Sequence, residues 1–271
     1  MKIVFNGITF ENTPNILHDN TLGLGTPPSV FVTQKTYTQD GSTYIRSNYE
    51  NRKIDFEFTL IATDSADMIA SKQNLYEKLN PRQGEQTMTV ELYTTLYITA
   101  LCDGIIPLAG NSKGNYWQTF QISFTCHDPF FWDTENSQLF TPFSGGFSFP
   151  FSFPFSLGTP AATQTLVNAG DVETPVRIVL VGPIQEAIIT NTTTNESIYL
   201  TEDIDPGETV TINTQTKTVS SDVKGNVFNY ISEDTTFWTL QPGNNTVTYK
   251  TSTNISGSSC TVYWKDRYTG I

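Results

Sequence analysis

The sequence predicts a mainly β protein of two domains: an N-terminal α+β domain with one helix, then a C-terminal β-sandwich. Three observations predict it. Short stretches alternate apolar and polar residues along most of the chain, as half-buried strands do. Only "SADMIASKQNLYEKLNP", Ser65 to Pro81, carries helical spacing. The polar surface is made of Thr, Asn, Ser and Gln, because charged residues are 15% of the chain where about 25% is usual. Thr suits strands and Asn suits turns.

The elements follow in order. Asn6-Gly7 between Val4-Phe5 and Ile8-Thr9-Phe10 predicts a tight hairpin. After the loop "GLGTPPS", the stretch Val30 to Tyr49 reads as a longer hairpin turning at Asp40-Gly41, with Tyr37, Tyr44 and Tyr49 on it. In "RKIDFEFTLIA", Ile54, Phe56, Phe58 and Leu60 share one face. The helix is expected to start with Ser65 as cap, to bury Met68, Ile69, Leu75, Tyr76 and Leu79, and to stop at Asn80-Pro81. Strands resume at "QTMTVELYT", "LYITALCDG" and "YWQTFQISFTC", where Phe120, Ile122, Phe124 and Cys126 alternate.

From about residue 161 only short strands are expected: "PVRIVLVG", "EAIITN", "ESIYLT", "ETVTINT", "KTVS", "NVFNYI", "FWTLQPG", "NTVTYKT" and "CTVYWKD". Their spacing, roughly 8–12 residues, is that of a sandwich. The chain of 271 residues thus divides into a domain at 1–133, a connector at 134–160 and a domain at 161–271. Strand order is not legible.

The connector holds "GGFSFPFSFPFSLG", with Phe147, Phe149, Phe151, Phe153 and Phe155 at alternate positions. Pro150 and Pro154 exclude a regular helix. In an extended segment all the rings face one way, so the stripe is expected to be covered by a domain or a neighbouring subunit. A flexible linker is the rival reading, but linkers favour Gly and Ser without such a stripe.

Catalytic chemistry finds little support. The histidines, His18 and His127, lie far apart; His127 beside Asp128 makes a poor chelate, and the structural reading is preferred. No Gly-x-Ser-x-Gly elbow or zinc spacing occurs. In "TEDIDPGE", Glu202, Asp203, Asp205 and Glu208 could gather calcium, but the loop lacks the full Asp-x-Asp-x-Asp-Gly pattern and Asp205-Pro206-Gly207 is a turn signal by itself. A solvated turn is the preferred reading. Tyr199, Phe228, Tyr230, Phe237, Trp238, Tyr249, Tyr263 and Trp264 invite a sugar-binding reading, although aromatics at alternating strand positions are mostly core. The sequence therefore predicts no catalytic, cofactor-binding or metal site, no cofactor and no enzyme. Cys102, Cys126 and Cys260 are expected to be buried free thiols of a protein made in a reducing cytosol. "MKIVFNGITF" is too weakly apolar for a signal peptide, and no stretch predicts membrane insertion.

The whole chain resembles the distal tail protein (Dit) family of long-tailed bacteriophages, notably those of Gram-positive hosts. The likeness rests on "FQISFTCHDPFFW", whose Phe124 to Trp132 closes the first domain. It rests also on "VNAGDVETPVRIVLVG" with Asn168, Gly170, Pro175 and Gly182, and on the run from Thr209 to Tyr249, "TVTINTQTKTVSSDVKGNVFNYISEDTTFWTLQPGNNTVTY". The length of the Phe-Ser-Phe-Pro tract departs from the pattern. The resemblance implies a structural virion protein of the tail tip, assembled in the host cytoplasm. It implies a homo-hexameric ring whose belt is the first domain and whose galectin-like or carbohydrate-module-like second domain projects outward. Its expected partners are the tail tube and tape-measure proteins, the tail-associated hub protein and, in many phages, receptor-binding proteins. The alternative is a carbohydrate-binding module that contributes directly to host cell-wall recognition; it accounts for the second domain only.

Net charge is −12 and the basic residues occur at most in pairs such as Arg52-Lys53. DNA passing through the ring is therefore expected to be repelled rather than held. A gel shift at about 150 mM salt should show no binding in the ~10⁻⁴ to 10⁻⁶ M range of non-specific binders. A micromolar complex there would reveal a basic surface that the sequence conceals.

Overall fold

A computed structural model describes residues 1–113, 116–141, 161–252 and 257–271, with only the backbone for 109–113. The Phe-Ser-Phe-Pro tract lies outside the described residues. The chain forms two compact units, Met1–Asp133 with Tyr268–Ile271, and Thr134–Arg267.

In the first unit, β1 (Lys2–Phe5) and β2 (Ile8–Phe10) form the expected tight hairpin, with Asn6 and Gly7 at φ 45° and 78°. Positive φ at both turn residues matches the hairpin to the strands' twist. β3 (Ile16–Leu22) follows, then β4 (Ser29–Gln34) and β5 (Thr43–Tyr49), which pair only with each other. β6 (Arg52–Ile61), helix α1 (Ser65–Lys78), β7 (Gln86–Glu91), β8 (Thr95–Lys113) and β9 (Trp117–Cys126) complete the core. β10 (Phe131–Phe140) begins in this unit and ends in the second.

Two antiparallel sheets share one strand. Thr95–Ala100 of β8 pair with β7 in the sheet β2-β1-β7-β8, and from Leu101 onward β8 pairs with β9 in the sheet β3-β6-β9-β8. The register shifts between Cys102 and Gly104, and Gly104 sits at φ 147°, where other residues are strained. Alternation decides what lies inside: Ile54, Phe56, Phe58 and Leu60 of β6 and Phe120, Ile122 and Phe124 of β9 are all buried. Phe5 meets Phe124 edge-on at 4.7 Å, and Phe10 meets Phe56 and Phe58 at 4.9 and 5.0 Å. Such edge-to-face pairs add about 0.5–1.5 kcal/mol each beyond area burial.

The helix differs from expectation in two details. Its cap is Asp64, not Ser65: Asp64 Oδ1 accepts from Asp67 N at 2.9 Å. Met68, Leu75 and Leu79 are buried, whereas Ile69 and Tyr76 are 57% and 45% exposed. One residue along a helix is a turn of about 100°, enough to carry both out of the core.

Arg52 ties the unit together. It is 1% exposed, yet among the described residues no carboxylate pairs with it. Its Nε donates to Pro129 O at 2.7 Å, Nη1 to Gly23 O at 2.6 Å and to Gly25 O, and Nη2 to Thr269 O at 2.5 Å. The guanidinium lies 4.5 Å over the Phe131 ring. Burial lowers its pKa from the usual arginine value. Gly23 permits the arrangement, because a Cβ there would collide with the Lys53 backbone. Ile271 N also donates to Leu24 O at 3.0 Å. A linear division with a second domain at 161–271 does not contain this return of Tyr268–Ile271 to the first unit.

The second unit is a sandwich. One sheet runs β17-β16-β15-β12-β20 through β12 (Thr174–Val181), β15 (Thr209–Asn213), β16 (Thr218–Ser221), β17 (Gly225–Asn226) and β20 (Ser259–Tyr268). The other runs β11-β19-β13-β14 through β11 (Ala161–Asn168), β13 (Ala187–Asn191), β14 (Glu196–Leu200) and β19 (Gly243–Thr251). β18 (Thr239–Leu240) pairs with the start of β12. Ile178, Leu180, Val210 and Val262 from one sheet join Ile189, Ile198, Val247 and Tyr249 from the other in one core. Trp238 lies within it, its Nε1 donating to Ile189 O at 3.2 Å.

Asn168 and Gly170 now have reasons. Asn168 is buried, donates to Val172 O at 2.8 Å and accepts from Gly170 N at 3.0 Å. A Cβ on Gly170 would strike the Arg267 backbone. Three readings are amended. β3 and β11 were not expected; each pairs with one neighbour only and buries little, so alternation is faint. "NVFNYI" is not a continuous strand: after Asn226 ends β17 it forms a 3-10 turn at Phe228–Tyr230, and Asn226 Oδ1 accepts from Phe228 N at 3.1 Å just ahead of it. Residues 134–140 complete β10 and so are not connector.

Arg52→Met should orphan several buried carbonyls, each costing about 1–3 kcal/mol, and lower the thermal midpoint by roughly 10 °C or more. Arg52→Lys should recover little, because one ammonium cannot span the same carbonyls. A lysine variant melting with the parent would show that charge alone suffices.

Candidate interaction surface

The hairpin β4–β5 is built unlike the rest of the first unit. Every residue of β5 is exposed, and Phe31, Tyr44 and Ile45 are 66%, 59% and 54% exposed. Pairing runs Ser29↔Tyr49, Phe31↔Ser47 and Thr33↔Tyr44, with a bulge between Val32 and Thr33. Phe31 touches Tyr44 at 6.3 Å, and Tyr44 Oη donates to Ser47 Oγ at 3.1 Å. At the tip Gln39 N donates to Thr36 O at 3.0 Å, Gly41 takes φ 77° and Tyr37 stands fully in solvent.

The base is firmly held. Glu50 N donates to Pro28 O at 2.8 Å, and Tyr49 packs edge-on against Phe130 at 5.4 Å. Arg52 grips the loop just before β4 and begins the strand just after β5. A two-stranded ribbon is marginal in water by itself. Exposed apolar side chains on a ribbon with open edges mark a docking element.

The acidic loop is a turn, as expected, with Glu202, Asp203, Asp205, Pro206 and Gly207 exposed and Glu208 N donating to Asp205 O at 3.1 Å, but its last carboxylate is drawn inside. Glu208 is 2% exposed. Lys224 Nζ donates to Glu208 Oε2 at 2.8 Å, to Asp205 Oδ2 at 2.9 Å and to Tyr230 Oη at 2.8 Å. Ser221 Oγ donates to Glu208 Oε1 at 2.7 Å. An ammonium therefore occupies the place the calcium reading assigned to a metal, and Glu202 and Asp203 do not join it. Burial raises the Glu208 pKa, but the hydrogen bonds from Lys224, Ser221 and Asp205 N outweigh it, so the net shift is downward. The bonds to Glu208, Tyr230 and Asp205 raise that of Lys224.

Other titratable groups serve locally. His127 Nδ1 meets Glu85 Oε1 at 2.6 Å and His18 Nε2 meets Thr21 Oγ1 at 2.6 Å. The cysteines are buried free thiols, and burial pushes Cys126 up to about 12. Among the described residues no three His, Cys, Asp or Glu side chains converge as metal ligands. No helix there is long and apolar enough to cross a membrane. Of the second-unit aromatics, Tyr230, Trp238, Tyr249 and Trp264 are buried, whereas Phe228 is 49% exposed.

The fold has known counterparts. Residues 6–126 match the family described as phage tail protein RIFT-related domain. Residues 169–268 match the family described as siphovirus-type tail component, C-terminal domain. The chain is thus a structural component of a phage tail. It belongs to the distal tail protein (Dit) family of long-tailed phages. The crystal structure of Dit from phage SPP1, described as a paradigm of the hub adsorption apparatus in phages infecting Gram-positive hosts, superposes with a TM-score of 0.72 at 12% identity, covering 98% of each chain. A chain of the phage P2 baseplate in its activated conformation superposes with a TM-score of 0.53 at 11% identity, covering 97% of this chain and 96% of that one. No curated protein sequence matches.

The Lys224 network makes a ranked prediction. Lys224→Ala leaves a buried carboxylate without its cation and should lower the melting midpoint more than Glu208→Gln, which leaves no buried charge. Glu208 stabilises above its unfolded pKa of about 4.3, and that contribution is lost as pH falls through its lower folded value. Lys224 stabilises below about 10.4 and loses its contribution as pH rises through its higher folded value. Calorimetry from pH 7 down to about 3 should accordingly show a shallower decline for Glu208→Gln than for the parent. Parallel curves would remove Glu208 from the acid response.

Proposed function

We propose that the chain forms a closed homo-hexameric ring at the phage tail tip, with the β4–β5 hairpin of each copy docked on its neighbour. The observation that carries this reading is the exposed, apolar hairpin held rigidly at its base by Arg52. Head-to-tail docking of one such element closes a ring when the rotation allows it. Residues 1–133 act as the belt, the residues between β10 and β11 as the connector, and the second domain as an outward, galectin-like sandwich. The ring joins the tail tube and tape-measure end to the tail-associated hub and the host-adsorption apparatus, including receptor-binding proteins where present. DNA crosses its acidic channel unbound. The role is structural, without catalysis, and assembly takes place in the host cytoplasm before the protein resides at the virion tail tip. The Dit family membership and the SPP1 and P2 likenesses support the reading.

Electron microscopy of the purified protein should show six-fold rings, and light scattering the mass of six chains. Changing Phe31, Tyr44 and Ile45 together to Ser removes about 1.5–3 kcal/mol of buried apolar contact per residue at each junction. The triple variant should be monomeric yet folded, with the parent's circular dichroism, because these side chains are outside the core; its melting midpoint should fall only by what the ring contributes. A hexameric variant, or a monomeric parent, contradicts the proposal. Deleting residues 160–271 is a poorer test, since it also removes Tyr268–Ile271 from the first unit.

A further inference from the structure

We propose that a cleft in the second unit, beside Phe228 and Phe237, is a subsite for the apolar face of an uncharged pyranose. The cleft has a volume of about 430 Å³ and is lined by Phe228, Asn229, Ile231, Ser232, Glu233 and Phe237, among others. That lies within the roughly 300–1,000 Å³ of ligand pockets.

The cleft is preformed by its neighbours. Tyr230 points inward and accepts from Lys224 Nζ, which pins the 3-10 turn and directs Phe228 outward. Phe228 stacks with Phe237 at 6.2 Å and 30°. The next residues are bound along the edge of β14: Thr201 N donates to Tyr230 O at 2.8 Å, Ser232 N to Tyr199 O at 3.0 Å and Thr236 N to Ser197 O at 2.9 Å. The floor is therefore rigid and aromatic.

The rim supplies uncommitted polar groups. Asn229 and Glu233 are exposed and their side chains make no hydrogen bond or ion pair among the described residues. Ser232 Oγ accepts from Asp234 N at 3.2 Å and keeps its own proton to donate. An exposed ring bordered by an amide, a carboxylate and a hydroxyl suits a ligand with one face of C–H groups and an edge of hydroxyls, which is a pyranose. Glu233 and Asp234 disfavour phosphorylated or carboxylated sugars. A peptide adding as a strand is excluded at this edge, because residues 230–236 already satisfy β14. The site lies outside the hairpin and does not depend on ring formation.

Saturation-transfer NMR and calorimetry on the full chain test it, with methyl β-glucoside, methyl β-galactoside and N-acetylglucosamine as probes and a glucose phosphate as the anionic control. At least one neutral probe should bind in the range of about 1–10 mM, with transfer from aromatic protons. Phe228→Ala should weaken it by about tenfold or more and Glu233→Gln by less, both with the parent's melting midpoint. The Phe31, Tyr44 and Ile45 triple variant should bind like the parent, which separates this site from the ring. No transfer to any neutral probe, undiminished binding by Phe228→Ala, or equal binding of the glucose phosphate overturns the proposal.

Discussion

The buried guanidinium of Arg52 is the constraint on which the first unit depends. A cation away from water needs its charge spread over acceptors, and here every acceptor is a backbone carbonyl. Those carbonyls come from the loop before the exposed hairpin, from the turn after β9 and from the C-terminal tail. One side chain thus fixes where the hairpin leaves the core and where the chain's last residues lie. The planar fork suits this duty, since its donors diverge in one plane over the Phe131 face.

Rigidity at the base allows exposure further out. A ribbon carrying Phe31, Tyr44 and Ile45 in solvent is held to its own unit mainly at its base, where Tyr49 meets Phe130. In the proposed ring the neighbouring copy adds to its stability. In a tail component the assembled particle can supply that contact, so the hairpin's poor burial and the unit's dense Phe core belong to one design.

The second unit solves a similar problem with Lys224. Its ammonium gathers Asp205, Glu208 and Tyr230, which brings the loop before β15 and the 3-10 turn to one point. Burying Tyr230 sends Phe228, two residues earlier, the other way. The exposed ring beside the cleft is a consequence of how the lysine is satisfied.

Much of this was legible in the residue pattern. Alternation located the core faces of β6 and β9, Asn6-Gly7 located the first hairpin, and Ser65 to Pro81 located the helix, because period and turn chemistry are local properties. The Tyr-rich hairpin was visible too, though not its exposure, since an alternating strand looks the same buried or bare. Other features depend on residues far apart in the chain. Arg52 meeting Thr269, β8 bending at Gly104 to serve two sheets, Ile69 and Tyr76 turning outward, and Lys224 filling a carboxylate loop each require a partner that no local window contains. By itself the sequence determined the period of each element and hence which side chains could face a core. Tertiary structure decided which of them do, because burial and charge pairing are settled only when distant segments meet.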